Sequence, residues 1–436
     1  MTKPNILYIH SHDTGRYLQP YGHGIPTPNL QRLAEEGVLF RRAYCAAPTC
    51  SPSRAALLTG QSPHSAGMLG LANRGFVLGD FRQHIIHTLK SAGYTSALAG
   101  IQHLTSSQFH RGAEAIGYDR ILTTNHAEAH LRAVDYIREA PRQPFFLTVG
   151  FFENHREFPV EHNVDPAYVS PPAPLPDRPR IRQDMANYIA MAKILDDKVG
   201  QVLQALDDAD LRDDTLVIYT TDHGIAFPGM KCSLTDAGIG VALIMRGPGE
   251  FGGGETVDAM VSHIDVFPTL CDLLDIEAPP WLQGQSMMPL VRGETQSIRD
   301  QVFAEVSYHA TYEPKRAVRS DRFKYIRRYD KRKSPVLPNI DDGLTKDDYL
   351  DEGFAGRAPA AEQLYDTYYD PTERHNLVSD PDYADVLGDM RDRLDRWMRD
   401  TDDPLLRGPV PAPAGAIAND PDGDSPRGPL APANQI

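Results

Sequence analysis

Short apolar runs rich in β-formers alternate with longer amphipathic ones along most of the chain. That alternation is what most restricts the fold, because it is the pattern of a mostly parallel sheet with helices on both faces. Strands are predicted at residues 5–10 (NILYIH), 95–100 (TSALAG), 144–151 (PFFLTVGF), 214–222 (DTLVIYTTD) and 241–247 (VALIMRG). Helices are predicted at 27–37, 81–93, 127–140 and 182–211, where apolar residues recur at helical spacing. The fold class is therefore α/β: a large, mostly parallel sheet flanked by helices.

From Gln301 the pattern changes. Residues 301–308, 316–329 and 362–377 read as a small antiparallel set with a Ser-Asp turn, followed by a helix at 383–400. The expected organisation is a catalytic α/β domain over 1–300 and a smaller α+β subdomain over 301–407. The tail at 408–436, rich in Pro, Ala, Gly and Asp, is expected to be extended or disordered.

Several function classes fall away. The formal net charge of -15 opposes a nucleic-acid partner, and the one basic cluster, RRYDKRK at 327–333, reads as a solvated face. No apolar run has the length of a membrane span, and polar His10, His12 and Asp13 come where a signal peptide would still be apolar, so a cytoplasmic protein is expected. Cys45, Cys50, Cys232 and Cys271 are too few and too scattered for a disulfide framework, and no CxxC pair exists to hold zinc. A phosphatase loop built on Cys50 needs Arg at position 56, where this chain has Ala56.

In open α/β sheets, ligands bind at the carboxyl ends of the strands. The first predicted strand ends in HSHDTG, with His12 and Asp13, and the strand at 214–222 ends in TTDHG, with Asp222 and His223. Each stretch alone reads equally well as a turn. Together they read as the two halves of a divalent-metal site, since carboxylates and imidazoles gathered at one sheet edge need a cation between them. Cys50 opens a predicted helix, CSPSRAALLTG, with Pro52 in its first turn and Arg54 one turn in, a position where an oxyanion is stabilised.

The stretch CSPSRAALLTG resembles the Cys-x-Pro-x-Arg signature of the sulfatases of the alkaline-phosphatase superfamily. The resemblance runs along almost the whole chain, through residues 27–68, 144–155, 213–249 and 362–377, and is greatest to the sulfamidase (heparan N-sulfatase) branch. It implies an alkaline-phosphatase-like fold and hydrolysis of a sulfate ester or sulfamate, with a sulfated small molecule or saccharide as substrate. It further implies that a formylglycine-generating enzyme is a partner and oxidises Cys50 to an aldehyde, whose hydrate attacks sulfur; its second hydroxyl then lets the covalent sulfate collapse without water attacking sulfur. By the same resemblance Asp13, Asp222, His223, His12 and the modified Cys50 hold one divalent metal, and Arg54 holds the hydrated aldehyde. His103 deprotonates it, and His155 and Lys231 contact the sulfate and protonate the leaving group.

The chain departs from the family pattern twice. His12 stands where the family has the first of two adjacent acids, which sets manganese or magnesium beside calcium, the usual sulfatase ion. Ile101 stands where the family has a lysine bridging aldehyde and sulfate, with Arg111 or Lys231 the cations available to compensate. These departures motivate two alternatives: a phosphodiesterase or phosphonate monoester hydrolase on the same site, and an inactive homologue that binds sulfated glycans.

Overall fold

The computed structural model describes residues 3–435. The main sheet has eight strands: β1 (Asn5–Ser11), β2 (Val38–Tyr44), β3 (Thr95–Gly100), β4 (Arg120–Thr123), β5 (Phe145–Gly150), β6 (Thr215–Thr221), β7 (Leu243–Arg246) and β8 (Glu255–Ser262). Their spatial order is β4-β3-β5-β1-β6-β7-β2-β8. All neighbours run parallel except β7, which is antiparallel to both β6 and β2.

The five predicted strands are all present, and the alternation that predicted them has a simple cause. Ile6 and Tyr8 of β1 join the apolar layer on one face while Leu7 and Ile9 join the layer on the other, so a strand buried on both sides is apolar at every position. The strands that periodicity missed carry weaker patterns. β2 interrupts its apolar run with Arg41 and Arg42, β4 is short and largely exposed, and β8 has an exposed acidic half.

The helices at Pro28–Glu36, Ala129–Arg138 and Pro179–Asp208 cover one face. The 30-residue Pro179–Asp208 helix starts with Pro at its first position and turns Leu195, Val199, Val202 and Leu206 inward against Leu30, Leu33, Ala133 and Ile137. The opposite face is covered in part by the helices Cys50–Thr59, Ile85–Ser91 and Val266–Leu273.

A second sheet, ordered β12-β11-β10-β9, consists of β9 (Gln301–Tyr308), β10 (Tyr312–Ser320), β11 (Phe323–Arg328) and β12 (Glu362–Asp366), all antiparallel. The predicted final helix spans Ala384–Asp400 and packs Leu387, Met390, Leu394 and Met398 onto Val318, Tyr325 and Leu364. Two expectations need correction here. The basic run at 327–333 is not simply a solvated face: Arg327 bonds Asp395 and the Tyr329 hydroxyl, and Arg328 is a largely buried partner of Glu313 and Asp330.

The segment 408–436 is extended for much of its length but is not loose. Ala412, Ala416, Ala418 and Ala433 join the main core, and β13 (Ile417–Asn419) pairs with β14 (Leu430–Pro432). Its small side chains bury little area each, but they let the backbone lie close against the body and hydrogen-bond to it, as Asn419 does through its N–H to the Ala310 carbonyl (2.8 Å). No helix among the described residues is long and apolar enough to cross a membrane.

Candidate active site

The strand order sets β3, β5, β1 and β6 side by side and parallel, so their carboxyl ends open at one edge. His103 follows β3, His155 follows β5, His12 and Asp13 follow β1, and Asp222 and His223 follow β6. Asp13 and His103 both take positive φ, 45° and 55°, which turns the chain sharply off the sheet edge at a small conformational cost. Gly100 and Gly150 face each other across β3 and β5, and each lacks the Cβ that would strike the other strand's end: at Gly100 it would meet the Gly150 carbonyl oxygen at 2.2 Å, at Gly150 the Ile101 carbonyl oxygen at 1.9 Å.

Cys50 arrives from the other side. The helix begins at Cys50 after an extended Thr49 and ends at Thr59 with Gly60 in the left-handed conformation, as its sequence predicts. The Thr49 side chain does not cap it, so first-turn N–H groups are left to an incoming anion. Cys50 Sγ lies 3.4 Å from His223 Nε2. The neighbouring Ser53 hydroxyl donates to the Asp222 carbonyl (2.5 Å), and Arg54 Nη2 donates to Asp222 Oδ2 (2.8 Å) and to the Ser11 carbonyl (3.2 Å), which ties the helix to the ends of both β1 and β6. Arg54 also contacts His10 through Nη1.

The centre is fully buried and crowded with titratable groups. His12 Nδ1 stands 3.0 Å from Asp222 Oδ2 and 3.5 Å from Asp13 Oδ1, while His223 Nε2 stands 3.4 Å from Asp13 Oδ1 and 3.7 Å from Asp222 Oδ1. His223 Nδ1 must donate to the Gly224 carbonyl (2.9 Å), which leaves Nε2 with a lone pair directed at the centre. Burial raises both carboxyls, but charge outweighs it: the Lys231 ammonium beside Asp13 and the Arg54 guanidinium beside Asp222 help hold both well below the usual carboxylate range. Burial pushes His103 and His155 down, so both imidazoles are neutral and His103 can accept a proton.

These residues suit a divalent cation. His12 Nδ1 and Nε2 and Asp13 Oδ1 are buried with no hydrogen-bond partner among the described residues, which is costly unless a ligand completes them. Ligand atoms of His12, Asp13, Cys50 and Asp222 lie within 4.8 Å of one another, and His223 Nε2 adjoins them. Two nitrogens and two carboxylates form a donor set at home with first-row metals as well as harder ions.

Every predicted site residue is thus at or beside this centre. His103 and His155 pack edge-on against His12 with ring centroids 4.6 and 5.3 Å away, and Lys231 Nζ donates to Asp13 Oδ2 (2.9 Å). Arg111 is exposed and does not line the cleft, so it is no substitute for a lysine at Ile101. Asp341 was not anticipated: it comes from the loop between β11 and β12 and lies 3.0 Å from Lys231 Nζ. It follows no strand of the main sheet and matches no motif, so no signal in the sequence marks it.

A cleft of about 570 Å³ opens over Cys50, His103, His155, Lys231 and Asp341. A larger cavity, about 980 Å³, is lined by Tyr17, His23 and Tyr168 and contains none of these groups. Convergence of perturbed titratable groups, rather than size, makes the cleft over Cys50 the candidate site.

Comparison with known proteins points to one family. Residues 4–276 match the sulfatase family model, and residues 230–348 match the model of the N-sulphoglucosamine sulphohydrolase C-terminal region. The chain is 29% identical to human N-sulphoglucosamine sulphohydrolase over 93% of its own length and 92% of that protein. It is 27% identical to a Δ4,5-hexuronate-2-O-sulfatase of Bacteroides thetaiotaomicron, covering 92% of this chain and 90% of that one. The solved phosphonate monoester hydrolase of Agrobacterium radiobacter shares the fold, with TM-score 0.73 and 22% identity over 96% of this chain and all of that one (100%).

Proposed function

The chain belongs to the sulfatase family, a family of sulfuric ester hydrolases, and from that premise we propose that it removes sulfate from an O-sulfated or N-sulfated sugar, using formylglycine made from Cys50 and one divalent metal. The observation that carries the reading is Cys50 at an uncapped helix start, with His223, Asp13 and Asp222 gathered beside it.

Asp13, Asp222, His223 and His12 are the residues to hold the cation, which when bound supplies charge stabilisation at the oxygens of the sulfuryl group. Formylglycine, as its hydrate, supplies a nucleophilic oxygen and a second hydroxyl whose proton loss ends the cycle. Arg54 orients that residue from one turn along the helix while its ion pair fixes Asp222. His103, neutral and in the cleft, takes the proton. Lys231 is held between Asp13 and Asp341, and these two carboxylates outweigh burial and keep it protonated, able to contact the sulfate or donate to the leaving oxygen or nitrogen. His155 stands ready beside it, its Nδ1 committed to the Arg156 carbonyl (2.5 Å) and its Nε2 available.

The N-sulphoglucosamine sulphohydrolase match over residues 230–348 favours a sulfamate, because that stretch contains Lys231 and Asp341. Calcium, manganese and magnesium are all compatible with the donor set. A second reading, hydrolysis of a phosphonate monoester or phosphodiester, is motivated by the two departures from the family pattern, His12 and Ile101.

The test is direct. The Cys50 peptide from protein coexpressed with a formylglycine-generating enzyme is expected to be about 18 Da lighter than the thiol form. The matured enzyme should release sulfate from N-sulfoglucosamine or an aryl sulfate, and Cys50→Ala should not. Undiminished turnover in Cys50→Ala sinks the reading, and a preference for phosphonate over sulfate esters replaces it with the second.

A further inference from the structure

The cleft has cations other than those over Cys50, and most already have a counter-ion. Lys231 sits between Asp13 and Asp341, and Arg156 is bidentate to Asp184 (2.8 and 2.7 Å). Arg74 differs. It lines the cleft from the short turn Ala72–Arg74, whose Ala72 N–H donates to the hydroxyl of Ser51 (3.0 Å), next to Cys50.

The Arg74 guanidinium meets only neutral oxygens among the described residues. Nη2 donates to Asn419 Oδ1 (2.9 Å) and the Pro426 carbonyl (3.2 Å), and Nη1 finds no acceptor. Both partners belong to the C-terminal tail. That tail is held firmly: Asn419 is buried and donates through Nδ2 to the Gly428 carbonyl (2.9 Å), and Lys346 Nζ bridges the Asp424 carbonyl (2.6 Å) to Asp342 (2.8 Å) on the loop that also carries Asp341. The result is that Pro426 and Arg427 form part of the cleft wall beside Arg74.

We propose that Arg74 and Arg427 form a subsite for a second anionic group of the substrate, a carboxylate or a further sulfate ester, carried on the same saccharide as the sulfate being removed. The inference rests on the sulfatase reading above and adds the substrate's second charge to it. A partly buried guanidinium without a counter-ion is poorly compensated, and an oxyanion of either kind matches its planar fork. Burial already pulls the Arg74 pKa down, as expected of a cation lacking a partner. Arg427 pairs with Glu157, and its Nε lies 3.9 Å from Asp342, but with the Arg427 side chain 65% exposed these contacts are worth little and yield to a substrate anion.

The experiment compares wild type, Arg74→Gln and Arg427→Ala, each checked by thermal melting. The probes are N-sulfoglucosamine, the same sugar with a 6-O-sulfate, and the same sugar linked to a hexuronate. The ratio of KM for a doubly anionic substrate to KM for N-sulfoglucosamine should rise about tenfold in each variant, the loss expected for one charged hydrogen-bonding partner. The sulfate and uronate arms show which oxyanion the site takes. Ratios equal to wild type in both arms overturn the proposal.

Calorimetric binding of the same probes to Cys50→Ser and to Cys50→Ser with Arg74→Gln separates this failure from failure of the sulfatase reading. Tighter binding of a doubly anionic probe that Arg74→Gln abolishes supports the subsite even without turnover, and identical binding of all probes refutes it. Exposed Arg427→Ala keeps the test valid if Arg74→Gln loosens the tail.

Discussion

Burial pushes the Cys50 thiol well above its ordinary pKa, with only partial relief from Lys231 and Arg54. A thiolate nucleophile is thereby disfavoured, which agrees with the proposed conversion of Cys50 to formylglycine. Lys231 illustrates what a residue owes to distant neighbours: its loop holds it near Asp13, but its second carboxylate, Asp341, comes from the loop between β11 and β12. Asp341→Asn keeps the shape and removes the charge. It is expected to lower kcat/KM about tenfold with little change in melting temperature, read by steady-state kinetics and calorimetry; unchanged kinetics would mean that Asp13 alone positions the lysine. The strand-end residues and Cys50 were legible because each lies in a short, chemically unusual stretch. Asp341 and Arg74 were not, because an aspartate in a polar loop and an arginine in a turn look like ordinary surface residues until the fold closes around them.

Among the elements, β3 and β5 are the most demanding, because their ends must touch for His103 and His155 to approach His12. Gly150→Ala would place a methyl group 1.9 Å from the Ile101 carbonyl oxygen and 2.7 Å from the His10 ring, neither of which can move without shifting a strand. The expected cost is about 3 kcal/mol or more in urea unfolding, with sulfate release lost alongside. A variant as stable and active as wild type would show that the strands separate freely. The glycine itself was visible in the sequence, but its reason was not, since nothing local says that β3 pairs with β5. The tail shows the converse: its composition suggested looseness, while β13, β14 and Asn419 make it part of the body.

At the level of the whole molecule, stability is expected to depend on acidity through histidines buried in neutral form. Burial lowers His84, His263 and His309 each to about 3, against an unfolded value near 6.5. Between those values the unfolded chain binds more protons than the folded one, so stability rises with pH through this window and is lost as pH falls below about 6.5. Near pH 5 these three residues account for a slope of about 4 kcal/mol per pH unit. His84 Nδ1 accepts from the Ile86 N–H (3.2 Å) and caps a helix, so His84→Asn keeps an acceptor there and should reduce the slope by about one proton in urea titrations across pH. An unchanged slope would show that His84 is not buried neutral. The sequence by itself determined the α/β class, the helix that opens at Cys50 and the two strand ends that carry His12, Asp13, Asp222 and His223, because strand and helix periodicity and strand-end turns are properties of neighbouring residues. Only the tertiary structure decided the strand order that gathers His103 and His155 around His12, the pairing of Lys231 with Asp341, and the tail's place in the cleft wall. Those depend on packing between segments far apart in the chain, where the favourable contact is made by the fold and leaves no local pattern behind.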